Sequence, residues 1–202
     1  MELLLIRHAL PLRVERRDGT PADPSLSEQG ARQAQRLAAW LSGERIDALY
    51  ASPLRRARET AEPIAAALRL AVRIEAGVTE FDPLAQSYVP LEEIKSESRE
   101  LWRELVSGGL TAGIDVALFR RTVAAAIERI VSCHAGERVA VVCHGGVVNA
   151  WAAHVLGLEA TLFFQPGYTS VSRFLAAGGG ERSLLSLNEI AHLRGGDVGL
   201  EV

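Results

Sequence analysis

The sequence predicts an α/β fold: a mainly parallel sheet covered on both faces by helices, a three-layer α/β/α sandwich. Three observations carry this expectation. Apolar runs at Leu3–Ile6, Ile46–Ala51 and Arg138–Cys143 have the length of strands buried on both faces. Between them lie longer segments whose apolar residues recur at helical spacing. Strand and helix alternate along the chain, which places successive strands parallel with helices crossing over them.

Taken in order, Leu3–Ile6 forms the first strand, and Arg7-His8 stands where it leaves the sheet. Ligands of open α/β sheets bind at that edge, outside the carboxyl ends of the strands. A histidine there, beside a fixed positive charge, suits a nucleophile toward an anion; the alternative is a polar residue that merely ends a strand. Residues 11–24 form a polar loop, longer than an ordinary connection, that carries Arg13, Arg16 and Arg17. These arginines either meet a second anionic group or face solvent. A helix follows with Ser27 as N-cap, a buried stripe of Ala34, Leu37, Ala38 and Leu41, and Gly43 just past its end.

The second strand exits through Ser52-Pro53 into a helix with Ala57, Ala61, Ile64, Ala65 and Leu68 on one face. Pro63 is expected to kink or restart that helix. A short strand at Val72–Ile74 comes next. From about 78 to 115 the pattern weakens; an amphipathic helix over 92–106 and the glycines 108, 109 and 113 read as a small helical lid over the sheet edge. Val116 to His134 is a strong helix, then Val139-Ala140-Val141-Val142-Cys143-His144-Gly145-Gly146 repeats the opening logic: a buried strand, a histidine at its exit, and a helix running to about Leu156. Its two glycines let backbone approach a ligand, and the helix start points amides at an anion. Ser170–Leu175 and Ser183–Leu187 complete the strands.

At 202 residues the chain suits one domain, residues 1–202, with the lid as an insertion. Its net charge of −3 argues against a nucleic-acid partner. No apolar run approaches the roughly 18 residues of a membrane span, and the first residues lack the features of a signal peptide. The expected location is cytoplasmic, without membrane association. Cys133 and Cys143 make neither a disulfide framework nor a metal cluster and read as small core residues. No pair of histidines or carboxylates stands at zinc-motif spacing, so no metal is expected. Among the other histidines, His134 ends a helix, His154 reads as a packed residue, and His192 has a structural reading ahead of a catalytic one.

Three stretches thus bring basic groups to strand exits: Arg7-His8-Ala9, Leu54-Arg55-Arg56-Ala57-Arg58-Glu59-Thr60-Ala61 and His144-Gly145. With Leu26-Ser27-Glu28-Gln29-Gly30 they resemble, in family order, the motifs of the histidine phosphatase superfamily, the phosphoglycerate mutase-like group. Arg-His-Ala stands here in place of that family's Arg-His-Gly. The resemblance implies a phosphoglycerate mutase-like fold and attack by His8 on phosphorus. Arg7 and Arg56 would bind phosphate oxygens through paired hydrogen bonds without losing charge. They would also keep His8 neutral. His144 and the Gly145 amide would support the transferring group, and Arg13 would contact the rest of the substrate. By family pattern Glu80 is the acid and base, with Asp82 as its rival.

The expected activity is a metal-independent phosphatase acting on a small phosphorylated substrate through phosphohistidine, with no cofactor. Two features of the mutases are missing: the Thr-Trp-Asn continuation, here Leu10-Pro11-Leu12-Arg13, and the Gly-Glu-Ser element before Val116. Both would bind substrate, and their loss favours hydrolysis over mutase-type phosphotransfer. A weakly catalytic protein that binds phosphorylated ligands or a protein partner is the other reading. Oligomeric state is open, with a homodimer as one expectation.

Overall fold

The computed structural model describes residues 1–81, 83–90, 113–160 and 162–194. Its strands are β1 (Glu2–Arg7), β2 (Val14–Glu15), β3 (Ala48–Ala51), β4 (Val72–Ile74), β5 (Ser87–Tyr88), β6 (Arg138–Cys143), β7 (Val171–Ala176) and β8 (Arg182–Glu189). The helices are α1 (Glu28–Leu41), α2 (Arg55–Leu68), α3 (Val116–Cys133) and α4 (Gly145–Leu156), with single 3-10 turns at Ala76–Val78 and Ala191–Leu193.

Six strands form one sheet in the order β4-β3-β6-β1-β7-β8. The first four of these are mutually parallel, and β7 and β8 complete the sheet antiparallel. Alternation of side chains along a strand builds the three layers. Leu3, Leu5, Val139, Val141 and Cys143 point to one face and pack with Val123 and Ile127 of α3 and Trp151 of α4. Leu4, Ile6, Ala140 and Val142 point to the other and pack with Leu37 and Leu41 of α1 and Ala57 and Ile64 of α2. Because β6 lies between β3 and β1, three parallel strands end side by side.

The predicted sandwich and its mainly parallel sheet are what the structure contains. Ser27 caps α1 as expected, accepting from the Gly30 amide at 3.0 Å. Four details differ. Helix α2 starts at Arg55 and runs unbroken through Pro63, which removes one amide donor without ending the helix. The loop after β1 is not featureless: β2 pairs antiparallel with β5, Val14 opposite Tyr88. Cys133 is exposed while Cys143 is buried, because the position that continues the stripe of α3 beyond Ile130 is taken by the buried His134. His154 is exposed and stacks on Trp151 at 5.2 Å. The helix expected over 92–106, most of the expected lid, and Asp82 lie outside the described residues.

Candidate active site

The site begins with backbone register. Arg7 lies opposite Cys143, and Ala51 opposite Val142. The ladder continues one residue past each strand, with His8 N donating to Cys143 O and Ser52 N to Val142 O, both at 2.9 Å. The residues at these exits are therefore neighbours, and the rings of His8 and His144 stand 5.1 Å apart. That is close to the spacing of adjacent strands, about 4.8 Å. Both rings are buried, 2% and 0% exposed.

The two nitrogens of His8 have distinct partners. Nδ1 lies 2.8 Å from the Ala9 carbonyl, which can only accept, and Nε2 accepts from Arg56 Nε at 3.2 Å. These contacts assign the proton to Nδ1 and leave a lone pair on Nε2. Arg56 comes from the first turn of α2 and lies over the Tyr88 ring at 4.8 Å. Arg7 donates through NH1 to Pro166 O at 2.6 Å and lies over the Tyr168 ring at 3.8 Å. The rest of the arginine motif is a brace. Thr60 Oγ1 accepts from Ala9 N at 2.9 Å and donates to Arg56 O at 2.7 Å, tying the residue after His8 to α2. Glu59 accepts from Leu26 N at 2.7 Å and pairs with Arg55 at 2.6 Å.

His144 occupies the N-cap position of α4. Its Nε2 lies 2.7 Å from Ser52 Oγ, and its Nδ1 is buried without a hydrogen-bond partner among the described residues. Gly145 backs onto Arg7, whose Nε would sit 3.9 Å from an added Cβ. Gly146 has a different reason to be glycine: a Cβ there would collide with the Glu80 carboxylate and the Phe81 ring. Instead Gly146 N donates to Glu80 Oε2 at 3.1 Å, which sets a carboxylate on the first turn of α4. Helix N-termini favour negative charge at that place.

Burial pushes the pKa of His8 well below the ordinary histidine value, and the charges of Arg56 and then Arg7 push it further. His144 is lowered by burial first, then by Arg56, His8 and Arg7. Both rings are therefore neutral near pH 7. The sequence reasoning credited the arginines for this; desolvation is the larger cause.

Arg7, His8, Arg56, His144 and Gly145 thus meet, and Glu80 reaches them through Gly146. Arg13 lies one residue before Val14, the partner of Tyr88, and pairs with Glu15 at 2.8 Å on a half-exposed side chain. Asp82, the rival of Glu80, lies outside the described residues. Sequence reasoning missed Ser52, Tyr88, Tyr168 and Thr169. Ser52 carried a signal, being the exit residue of a buried strand; the other three reach the site only through folding. Among the described residues no group of three or more His, Cys, Asp or Glu side chains is placed to share a metal ion. No helix among them is long and apolar enough to cross a membrane.

This arrangement has relatives. The family model of the histidine phosphatase superfamily (branch 1) matches residues 3–190. Phosphoserine phosphatase 1 of Hydrogenobacter thermophilus is 32% identical over 200 residues, covering 96% of this chain and 94% of that protein. Phosphoglycerate mutase-like protein 4 of Arabidopsis thaliana is 33% identical over 161 residues, 74% of this chain and 68% of that protein. Among solved structures, a phosphoserine phosphatase variant from Entamoeba histolytica in complex with phosphoserine superposes with a TM-score of 0.71 at 23% identity, covering 95% of this chain and 98% of that one. With a match running from the first strand through the last, the chain belongs to the histidine phosphatase superfamily, branch 1.

Proposed function

We propose that this protein is a metal-independent phosphatase that hydrolyses a small phosphomonoester through a phosphohistidine on Nε2 of His8. The observation that carries the reading is the division of the His8 ring: Nδ1 held against the Ala9 carbonyl, and a neutral Nε2 lone pair aimed at Arg56. A phosphate dianion repels an anionic nucleophile and admits a neutral one. The name of the relative that matches nearly the full chain, phosphoserine phosphatase 1, supports hydrolysis as the net reaction.

In the first step His8 Nε2 forms a bond to phosphorus and the phosphorus–oxygen ester bond breaks. The leaving oxygen takes a proton from the Glu80 carboxyl. The new positive charge on the ring is shared with the Ala9 carbonyl through Nδ1–H. Arg7 and Arg56 donate to the phosphoryl oxygens, with His144 and the Gly145 amide as further donors. Charge developing on those oxygens is where preorganised donors do most. In the second step water attacks phosphorus, gives its proton to the Glu80 carboxylate and displaces His8, releasing inorganic phosphate. Glu80 ends protonated, as it began.

Arg13 completes this reading at the rim. It directly precedes the β2–β5 ribbon, whose Tyr88 ring lies 6.4 Å from that of His8, and is proposed to meet the organic part of the substrate. The segment from about 78 to 115 is proposed to act as the lid of a single domain, and the protein is proposed to work in the cytoplasm.

Rapid-quench assays across a panel of phosphomonoesters test the mechanism. The expected result is a burst of acid-labile phosphoprotein, unchanged by a chelator and absent in His8→Ala. Phosphate release that persists in His8→Ala, or that chelator abolishes, overturns it. Ligand binding with no turnover on any ester would leave only the binding-protein reading.

A further inference from the structure

The segment Pro166-Gly167-Tyr168-Thr169, which ends one residue short of β7, makes contacts that converge on Arg7-His8. Pro166 O accepts from Arg7 NH1 at 2.6 Å. The Tyr168 ring lies beneath the Arg7 guanidinium and 5.8 Å from the His8 ring. Thr169 N lies 3.1 Å from Arg7 O and 3.4 Å from His8 O. Thr169 does this at φ +57°, the left-handed region that a β-branched residue rarely adopts. Such a conformation persists only where its surroundings over-determine it, and such residues cluster at functional sites.

Two side chains from the end of the described chain supply that determination. Asn188 Oδ1 accepts from Gly167 N at 2.7 Å. His192 Nε2 lies 2.9 Å from Thr169 Oγ1. The hydroxyl has one hydrogen, and its other contact is the Tyr168 carbonyl at 2.7 Å, which can only accept. The hydroxyl therefore donates to that carbonyl, and Nε2–H of His192 donates to the hydroxyl. His192 is held for this by stacking on Trp40 of α1, with ring centroids 5.2 Å apart. Burial, followed by the charge of Arg36, lowers its pKa to about 4, so the ring is neutral at working pH. Nε2 carries a hydrogen in either protonation state, so the contact does not titrate.

We propose that His192 and Thr169 form a latch that presses the 166–169 loop onto Arg7-His8, and that His192 is thereby a positioning residue for phosphate binding. Through Thr169 it fixes the backbone of the nucleophile; through Tyr168 and Pro166 it presets the Arg7 guanidinium. This rests on the phosphatase reading above.

The test compares the full-length protein with His192→Leu, His192→Gln, Thr169→Ala and the double variant Thr169→Ala/His192→Leu. Two quantities are read: kcat/KM on a phosphomonoester, and competitive inhibition by orthovanadate, which mimics phosphate. His192→Leu is expected to lose roughly tenfold to a hundredfold in kcat/KM, the range for small displacements in a preorganised site. Its vanadate inhibition constant should rise by about tenfold. The Gln amide N–H reaches the same place, so His192→Gln should recover both to within about threefold with a wild-type pH profile. Thr169→Ala, which also removes the hydroxyl's bond to the Tyr168 carbonyl, should lose at least as much as His192→Leu, and the double variant no more than Thr169→Ala, because the His192 contact is already gone. Wild-type vanadate affinity in His192→Leu, failure of Gln to rescue, or additive losses would overturn the latch. Should His192→Leu not fold, His192→Gln and Thr169→Ala carry the same comparison. A wild-type protein that neither releases phosphate nor binds vanadate defeats the phosphatase reading itself, whereas an active wild type with an unaffected His192→Leu defeats the latch alone.

Discussion

At the scale of single residues, Arg56 and His8 constrain each other. Arg56 Nε donates to the His8 lone pair that, in the proposed mechanism, attacks phosphorus. Substrate therefore has to draw that donor away: a phosphate oxygen takes the N–H, and the same motion frees Nε2. Lysine keeps the charge but loses the planar fork that can make this exchange while still gripping the phosphoryl group. Arg56→Lys should lower kcat/KM by roughly 10²- to 10³-fold, the usual cost of one transition-state donor. Steady-state kinetics on the best substrate of the panel decide this; a loss under about threefold would mean that charge alone suffices. Arg7, His8 and His144 were legible in the sequence because each sits at a strand exit, whereas Arg56 was distinguished from Arg55 and Arg58 only by the resemblance to the family's arginine motif. Ser52, buried and 2.7 Å from His144, was not singled out, since a serine before a proline looks like any turn residue.

Between elements, the contact that matters is the docking of α1 on the chain leaving β1. Leu10 is held from both sides: its amide donates to Gln33 Oε1 at 2.9 Å, and its carbonyl accepts from Ser27 N at 3.0 Å. Gly30 passes so close that an added Cβ would collide with the Leu10 carbonyl. Gly30→Ala should therefore push α1 away and cost about 1–3 kcal/mol, the range for overpacking a filled site. Urea denaturation measures it, and the displaced Leu10 should carry Ala9 and His8 with it, lowering activity as well. Unchanged stability in Gly30→Ala would show that the helix start can give way. The continuous α2 and the β2–β5 ribbon were the elements least legible in advance. A proline's lost amide is tolerated in α2 because its buried stripe packs on the sheet on both sides of the proline, Ala57 and Ala61 before it and Ile64 after. A strand of two residues has no periodicity to read; its pairing partner lies more than seventy positions away.

For the whole molecule, three histidines have lowered pKa values: His8 and His144, which are buried, and His192, which is half-buried. The unfolded chain takes up protons on them near pH 6.5, and the folded protein resists doing so. Below about pH 6.5 the unfolded state thus binds more protons, so stability falls with pH from there downward until each folded-state pKa is reached. Each fully buried ring contributes a slope of about 1.4 kcal/mol per pH unit across its window. The carboxylates of Glu44 and Asp47, lowered by bonds to Arg173 and Arg138 respectively, lose their contribution only at more acidic pH. Melting temperature should accordingly be flat from about pH 7 to about 8 and decline below about 6.5, with a second decline above about 9 because burial raises the pKa of the Cys143 thiol. His192→Gln should flatten the decline between that point and about pH 4. A wild-type curve flat down to pH 5 would contradict the burial of these rings.

The layered α/β fold and the placing of histidine and arginine motifs at strand exits can be read from the order of amino acids alone. Local periodicity, cap residues and turn chemistry are short-range properties, and a single chain displays them directly. Tertiary structure decided what lies beside what. The order of strands in the sheet sets His8 against His144, the glycine at position 146 makes room for Glu80, and His192 is brought against both Thr169 and Trp40 of α1. Those neighbours are chosen by packing over the whole core, which no window of sequence contains.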